Sequence, residues 1–138
     1  MKKRKRFSGW ISFLLLTLCL LGCGVGNKES EERTDLAYTV TSEDRLPEEL
    51  KLLVEGKKQQ PFKMTYQDGD YLYICQGYGL QPTGGYSIQV EDVYRTSNAI
   101  YFSTTLLGPS PSELKTEKET TPYIVIKTEY QDMTVVFD

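Results

Sequence analysis

The sequence predicts a mostly β, α+β fold: one small antiparallel β-sheet domain, either a sandwich or a partly open barrel, with a single amphipathic helix at its N-terminal side. Apolar residues show helical spacing in one stretch, between Leu46 and Val54. Beyond this stretch they alternate with polar residues in short runs, and turn-forming residues separate these runs. The roughly 93 residues from Leu46 onward are enough for one small domain and too few for two.

The helix is expected between Leu46 and Gly56. Pro47 suits the first helical position, and Gly56 favours the end of the helix. Its apolar residues are spaced at i, i+4, i+7 and i+8: Leu46, Leu50, Leu53 and Val54. We therefore expect these four side chains to form one stripe that packs on a sheet.

Six strands are expected after the helix, near residues 62–66, 71–76, 86–95, 99–107, 123–130 and 133–137. The run "YLYIC" at 71–75 is apolar on both faces, which predicts a central strand. The step of three residues from Val90 to Val93 shifts the two-residue period. This shift predicts a β-bulge near Glu91 and Asp92.

The connections between the strands are expected to differ at the two ends of the sheet. If neighbouring strands alternate in direction and the last two form a hairpin at 131–132, the connections 77–85 and 108–122 emerge together at a loop-rich end. The turns at 68–70, 96–98 and 131–132 then lie at the opposite, tight-turn end. Because loops on a β scaffold commonly carry binding residues, we expect a binding surface at the loop-rich end.

Tyrosines indicate which side chains would form this surface. The chain has ten tyrosines, and Tyr78, Tyr86 and Tyr123 fall at the loop-rich end. A tyrosine side chain offers a large, stiff contact area with a polar tip, which suits partner recognition. The alternative is that Tyr86 and Tyr123, which begin strands, pack inward as part of the core.

The N-terminus predicts export. Five consecutive basic residues, 2–6, precede an apolar run from Phe7 to Leu21, which is typical of a secretory signal. The run would reach about 22 Å as a helix, which is short for a membrane span. It ends in "LLGC" at 20–23, which resembles the bacterial lipobox. We therefore expect a signal peptide at 1–22 and a lipidated Cys23. The alternative is an uncleaved anchor.

This reading predicts the organisation of the mature chain. Residues 23–44 are polar and form a flexible, lipidated tether, and residues 45–138 form the β domain. The protein would lie on the extracytoplasmic side of the cell membrane, held by its lipid. With 11 basic and 19 acidic residues left after cleavage, its formal charge is −8, which argues against nucleic acid as a partner.

Catalytic chemistry has little support in this sequence. The chain has no histidine, which removes the usual activation of serine and cysteine nucleophiles and the commonest zinc ligand. Cys75 lies mid-strand and is expected to be a buried structural thiol. The segment "GLQPTG" at 79–84 has the glycine spacing of a phosphate-binding loop, but Gly85 and Tyr86 stand where lysine and Ser/Thr are needed. We therefore expect neither an enzyme nor a bound cofactor or metal.

Two segments carry a family resemblance. "QPTGGYSIQV" and "TPYIVIK" resemble the C-terminal domain family named after protease complex subunit PrcB. The matching positions are Pro82, Thr83, Gly84, Gly85, Tyr86, Pro122 and Tyr123. The resemblance implies a small bacterial domain, frequently on a lipoprotein, that is associated with a secreted protease or its complex. Where the family usually has an aromatic residue before the second Pro-Tyr, this chain has Thr121.

A fainter likeness concerns one loop. Residues 81–86, "QPTGGY", are similar to a loop that chagasin-type cysteine-peptidase inhibitors insert into the protease cleft. The other two inhibitory loops of those β-sandwich proteins have no counterpart here. This likeness implies direct protease inhibition as an alternative function.

The leading hypothesis is a non-enzymatic, membrane-tethered module that binds a protein partner, in particular an extracytoplasmic protease, through the loop-rich end. Its expected contact residues are Tyr78, Gln81, Pro82, Thr83, Gly84, Gly85, Tyr86, Pro122 and Tyr123. The alternatives are a direct protease inhibitor and a binder of a cell-envelope ligand, the latter favoured if the loop-rich end forms a concave aromatic pocket.

Overall fold

The computed structural model describes residues 32–112 and 118–138. Within these residues the protein has eight strands, one α-helix and a short 3-10 helix at Glu43–Arg45. The α-helix, α1, spans Glu48–Lys57. The strands are β1 (Thr34–Asp35), β2 (Thr39–Val40), β3 (Pro61–Asp68), β4 (Tyr71–Tyr78), β5 (Ser87–Arg95), β6 (Ala99–Leu107), β7 (Tyr123–Glu129) and β8 (Thr134–Phe137).

The strands form two four-stranded sheets. The front sheet has the order β1-β5-β6-β8, and the back sheet has the order β2-β7-β4-β3. Neighbouring strands are antiparallel except β6 and β8, which are parallel. The sheets pack face to face, so the fold is a β-sandwich and not a barrel.

Two apolar clusters hold the layers together. Between the sheets, Phe102 and Ile100 of the front sheet pack with Leu72, Ile74 and other residues of the back sheet. On the outer face of the back sheet, α1 covers a second cluster that includes Tyr73, Cys75 and Val125. Strand β4 is therefore buried on both faces and lies between β7 and β3, as its apolar sequence predicted. Each fully buried aliphatic side chain contributes about 1.5–3 kcal/mol.

The predicted bulge is present in β5. Its pairing with β6 shifts between Val90 and Asp92, so Glu91 is the extra residue. Beyond the bulge, Asp92 accepts two hydrogen bonds from Arg33 Nη2. The Arg33 guanidinium also lies 3.9 Å from the centre of the Tyr94 ring. These contacts hold the chain segment that leads into β1.

The helix differs in detail from its prediction. It begins after Pro47 and continues through Gly56 to Lys57. Leu50 and Val54 are buried, whereas Leu53 is 40% exposed. Leu53 lies about 100° from Val54 around the helix axis, so it reaches only the margin of the contact with the sheet.

The predicted hairpins β3–β4 and β5–β6 are present, but the predicted pairing of the last two strands was wrong. The strands β7 and β8 do not form a hairpin: β7 pairs with β4 in the back sheet, and β8 runs parallel to β6 in the front sheet. The physical reason is burial. Residues 124–126 are buried on both faces, which requires a position between layers, whereas β8 turns only one face to the core and suits an edge.

The folded domain begins earlier than residue 45. Strand β1 pairs with β5, and β2 pairs with β7, within the segment expected to be a tether. Thr128 also donates a hydrogen bond of 2.8 Å to the Ala37 carbonyl oxygen. These residues join the sheets through backbone pairing and remain largely exposed. Their polar composition therefore could not reveal that they belong to the folded domain.

The predicted signal peptide at 1–22 and the lipidation residue Cys23 lie outside the described residues. In the part of the chain that the structure describes, no helix has the length and apolar character needed to cross a membrane.

Candidate functional site

Two long connections meet at one end of the sandwich, as predicted. Gly77 pairs with Tyr123 at the end of β4, and Ser87 pairs with Leu107 at the start of β5. The connections on either side of these pairs therefore emerge together, although β4 and β5 belong to different sheets. The loop-rich end exists with a strand order that the sequence did not predict.

Hydrogen bonds join the two connections. Gln81 and Thr120 exchange backbone hydrogen bonds of 2.7 and 3.1 Å. The Thr120 hydroxyl donates to the Thr83 carbonyl oxygen at 2.8 Å, and the Gln81 side chain donates to the Tyr78 carbonyl oxygen at 3.1 Å. The Tyr78 amide donates to the Pro122 carbonyl oxygen at 3.0 Å. This network fixes the backbone before the Pro-Thr-Gly-Gly-Tyr turn.

The second glycine of that turn is required by conformation and by space. Gly85 has φ +87°, in the region that favours glycine. A Cβ at Gly85 would lie 2.9 Å from Cβ of Pro109 in the other connection. The ring of Tyr86 in turn lies against Gly108, 3.3 Å from where a Cβ would stand. The turn is therefore shaped to pack on its neighbouring connection.

Tyr78 lies between the two sheets. Its hydroxyl is 2.6 Å from the Thr104 hydroxyl oxygen, and the Thr104 hydroxyl donates to Gln76 Oε1 at 3.0 Å. Because Thr104 has one hydroxyl proton and gives it to Gln76, Tyr78 is the donor in the first bond. Tyr78 is half-buried and links β4 to β6. The structure gives this side chain a role inside the domain.

Tyr123 points to the other face of the back sheet. It packs against the cluster beneath α1, and its hydroxyl donates to Glu43 Oε2 at 3.0 Å. Burial, followed by the hydrogen bond to the Glu43 carboxylate, raises the pKa of Tyr123 to about 12. These contacts agree with the alternative in which a tyrosine at a strand start packs inward.

Comparison with known protein families gives a match. Residues 72–129 match the family model described as PrcB C-terminal. The matched segment runs from β4 to the end of β7 and contains both Pro82–Tyr86 and Pro122-Tyr123, so the predicted resemblance to this family is confirmed. Neither a curated protein nor a solved structure gave a significant match.

In the matched segment 72–129, the residues most exposed at this end are not the tyrosines. Pro82 is exposed, and Leu80 and Leu107 are 47% and 42% exposed. The Leu80 amide donates to the Gln59 carbonyl oxygen at 3.3 Å, which holds its backbone. Sequence reasoning missed both leucines. For Leu80 the available signal was an apolar residue inside a glycine-rich turn, where no strand partner could bury it.

Cys75 and the acidic side chains are the groups that bear on nucleophilic or metal chemistry. Cys75 is fully buried, and burial raises the pKa of its thiol to about 12, so it is not available as a nucleophile. In residues 32–112 and 118–138, no three His, Cys, Asp or Glu side chains are grouped so as to hold a metal ion. The turn residues Asp68 and Asp70 flank Gly69, which has φ +62°, and form the β3–β4 hairpin.

Proposed function

We propose that this protein is an extracytoplasmic lipoprotein whose PrcB C-terminal segment is a non-enzymatic module that binds a protease or a subunit of its complex. The observation that carries the proposal is the construction of the loop-rich end. Two connections are fixed to each other, and the leucines beside them, Leu80 and Leu107, remain exposed. Exposed apolar side chains on a fixed backbone favour protein partners.

Rigidity supports binding because it lowers the entropy lost on association. Backbone bonds between Gln81 and Thr120 and the contact of Gly85 with Pro109 are already formed in the free domain. A partner that covers Leu80 or Leu107 therefore does not have to order the loops first.

The path of the chain supports membrane anchoring with the loop-rich end accessible. Thr34, the first residue of β1, pairs with Arg95 at the tight-turn end of the sandwich. Attachment through Cys23 would therefore join the domain opposite to the loop-rich end. Ten residues, 24–33, separate Cys23 from β1, and ten residues span at most about 35 Å. Lipidation is tested by mass spectrometry of the native N-terminal peptide, and a Cys23→Ser variant should leave the membrane fraction.

Site-specific photo-crosslinking on intact cells tests the binding proposal. A photoreactive amino acid is placed at position 82, and a matched control carries it at position 52, where Leu52 is 71% exposed on α1. We expect position 82 to capture an extracytoplasmic protease or a subunit of its complex, and position 52 not to do so. Leu80→Asp should reduce this product at least about tenfold, because burying one leucine contributes about 1.5–3 kcal/mol.

The controls separate specific loss from unfolding. Leu52→Asp places the same charge on another exposed leucine and should leave the yield unchanged. Equal yields from positions 82 and 52, or no effect of Leu80→Asp, would contradict the proposal. Loss of peptidase activity at a stoichiometric amount of the protein would instead support the inhibitor alternative.

A further inference from the structure

Three exposed tyrosines gather at the tight-turn end, opposite to the predicted site. Tyr38, Tyr71 and Tyr130 are 40%, 45% and 38% exposed. Tyr38 and Tyr71 line a groove of about 330 Å³, and Tyr71 and Tyr130 line another of about 540 Å³. Both grooves also include Glu129, so they adjoin and form one surface, which we call the tyrosine groove.

Helix α1 leaves this surface uncovered. Tyr73 and Cys75 lie beneath the helix, and Tyr71, two residues earlier on the same face, remains exposed.

The backbone that carries the three tyrosines is fixed. The Thr128 hydroxyl holds the Ala37 carbonyl oxygen, directly before Tyr38, at 2.8 Å. The Tyr130 amide donates to the Asp70 carbonyl oxygen at 2.8 Å, directly before Tyr71. A ligand therefore meets rings whose attachment points are already in place, which lowers the cost of binding.

The charges around the groove indicate which ligands it suits. Lys127 Nζ lies 4.1 Å from the centre of the Tyr71 ring, so the protein's own ammonium group fills the position that a cationic ligand would take. The carboxylates of Asp70 and Glu129 line the same surface and repel anions. The groove therefore offers exposed tyrosine ring area beside one ammonium donor and two carboxylate acceptors.

We propose that the tyrosine groove binds a neutral saccharide. The apolar C–H faces of a sugar ring pack on the tyrosine ring area that Lys127 leaves exposed, and its hydroxyls donate to Asp70 and Glu129 and accept from Lys127. The groove volumes lie in the range of small-molecule sites. A free glycan and the headgroup of a neutral glycolipid present the same chemistry. This site is separate from the loop-rich end, and its failure would not affect the proposed function.

Calorimetric titration of the full-length protein tests the proposal. The protein is held in a polyoxyethylene detergent, because alkyl glycosides carry the proposed ligand. Chitotriose and maltotriose are the free probes, and vesicles with or without a neutral glucosyl lipid are tested by co-sedimentation. We expect saturable binding of a free trisaccharide or selective binding to the glycolipid vesicles. The first result identifies a free glycan as sufficient, and the second identifies the lipid headgroup as the source.

Variants assign the binding to the groove. Tyr71→Ala should weaken it at least about tenfold, and Tyr71→Phe, which keeps the ring, should weaken it less than about threefold. Glu129→Gln keeps the side-chain shape, so any loss of binding is not caused by unfolding. It should weaken saccharide binding about fivefold. Leu52→Ala on the exposed face of α1 is the control and should have no effect.

Two outcomes would overturn the proposal. One is no binding of either trisaccharide up to about 10 mM together with equal sedimentation on both vesicles. The other is binding that Tyr71→Ala and Glu129→Gln leave unchanged. Binding of trilysine with inert saccharides would assign the groove to a cationic protein segment and would also reject the saccharide.

Discussion

Replacing Gly85 with alanine measures how firmly the Pro-Thr-Gly-Gly-Tyr turn is held against its neighbour. Two penalties act at this position. The positive φ of +87° costs an L-residue about 1–2 kcal/mol. The new Cβ would also lie 2.9 Å from Pro109 Cβ, and such overpacking costs about 1–3 kcal/mol. Alanine stabilises by about 0.4–1 kcal/mol through the unfolded chain, so we expect a net loss of about 1–4.6 kcal/mol.

Two other glycines separate these contributions. Gly69 has φ +62° and open space around its Cα, so Gly69→Ala carries the conformational cost alone and should destabilise by about 0.5–1 kcal/mol. Gly56 lies inside α1 with open space and no positive φ, so Gly56→Ala should stabilise by about 0.5–1 kcal/mol. The three variants are thus expected to differ in sign as well as in size.

Urea unfolding followed by circular dichroism gives the free energies of unfolding. All three variants are compared with the parent protein at constant m-value, so that a midpoint shift reports stability. A Gly85→Ala variant as stable as Gly69→Ala would show that Pro109 does not press on the turn. The two connections would then be independent, and the argument for a rigid loop-rich end would fail.

Three further predictions concern buried groups. Cys75 should resist alkylation at pH 8 in the folded protein and react after unfolding, because burial raises its pKa to about 12. Peptide mass mapping measures the alkylated fraction, and full labelling of Cys75 in the native protein would contradict the prediction. The pKa of Tyr123 is raised from 10 to about 12, so its contribution to the free energy of unfolding is complete below pH 10 and is lost as the pH rises to 12. In urea unfolding, Tyr123→Phe should reduce the loss of stability between pH 10 and pH 12, and an equal loss would refute the assignment. Thr104→Val should destabilise the protein by about 1–3 kcal/mol, because it leaves the Tyr78 hydroxyl unpaired between the sheets, and adding Tyr78→Phe should recover part of the loss. Additive effects in this double-mutant cycle would show that the two groups are not coupled.

The sequence predicted strands β3 to β8 because period-two alternation reports which face of a strand is buried, whereas the two-residue strands β1 and β2 were not predicted. The bulge at Glu91 followed from a break in that alternation, and the two-sided burial of β4 followed from its apolar run. Periodicity does not report which strand is the neighbour. The pairing of β7 with β4 and the parallel position of β8 beside β6 therefore could not be read from it.

The sequence predicted where the two long connections lie better than it predicted which of their side chains are exposed. The two connections meet where expected, because Gly77 and Tyr123 pair at the end of their strands. Which side chains remain exposed depends on what covers them in three dimensions. The Tyr78 hydroxyl bonds to Thr104 of the other sheet, whereas Tyr71 lies outside the cluster that α1 covers and is exposed. Neither fact has a local sequence signal.

The most recognisable motif of the chain is explained by contacts within the domain. Gly85 fits against Pro109, Tyr86 lies on Gly108, and Thr83 accepts a hydrogen bond from Thr120. A chain that carries the same pentapeptide would therefore be expected to form the same turn, whatever its partner. Partner choice would instead depend on exposed positions beside the turn, such as Leu80. Exchanging the residue at Leu80 between two domains with this pentapeptide should alter partner capture without altering stability by more than about 0.5 kcal/mol.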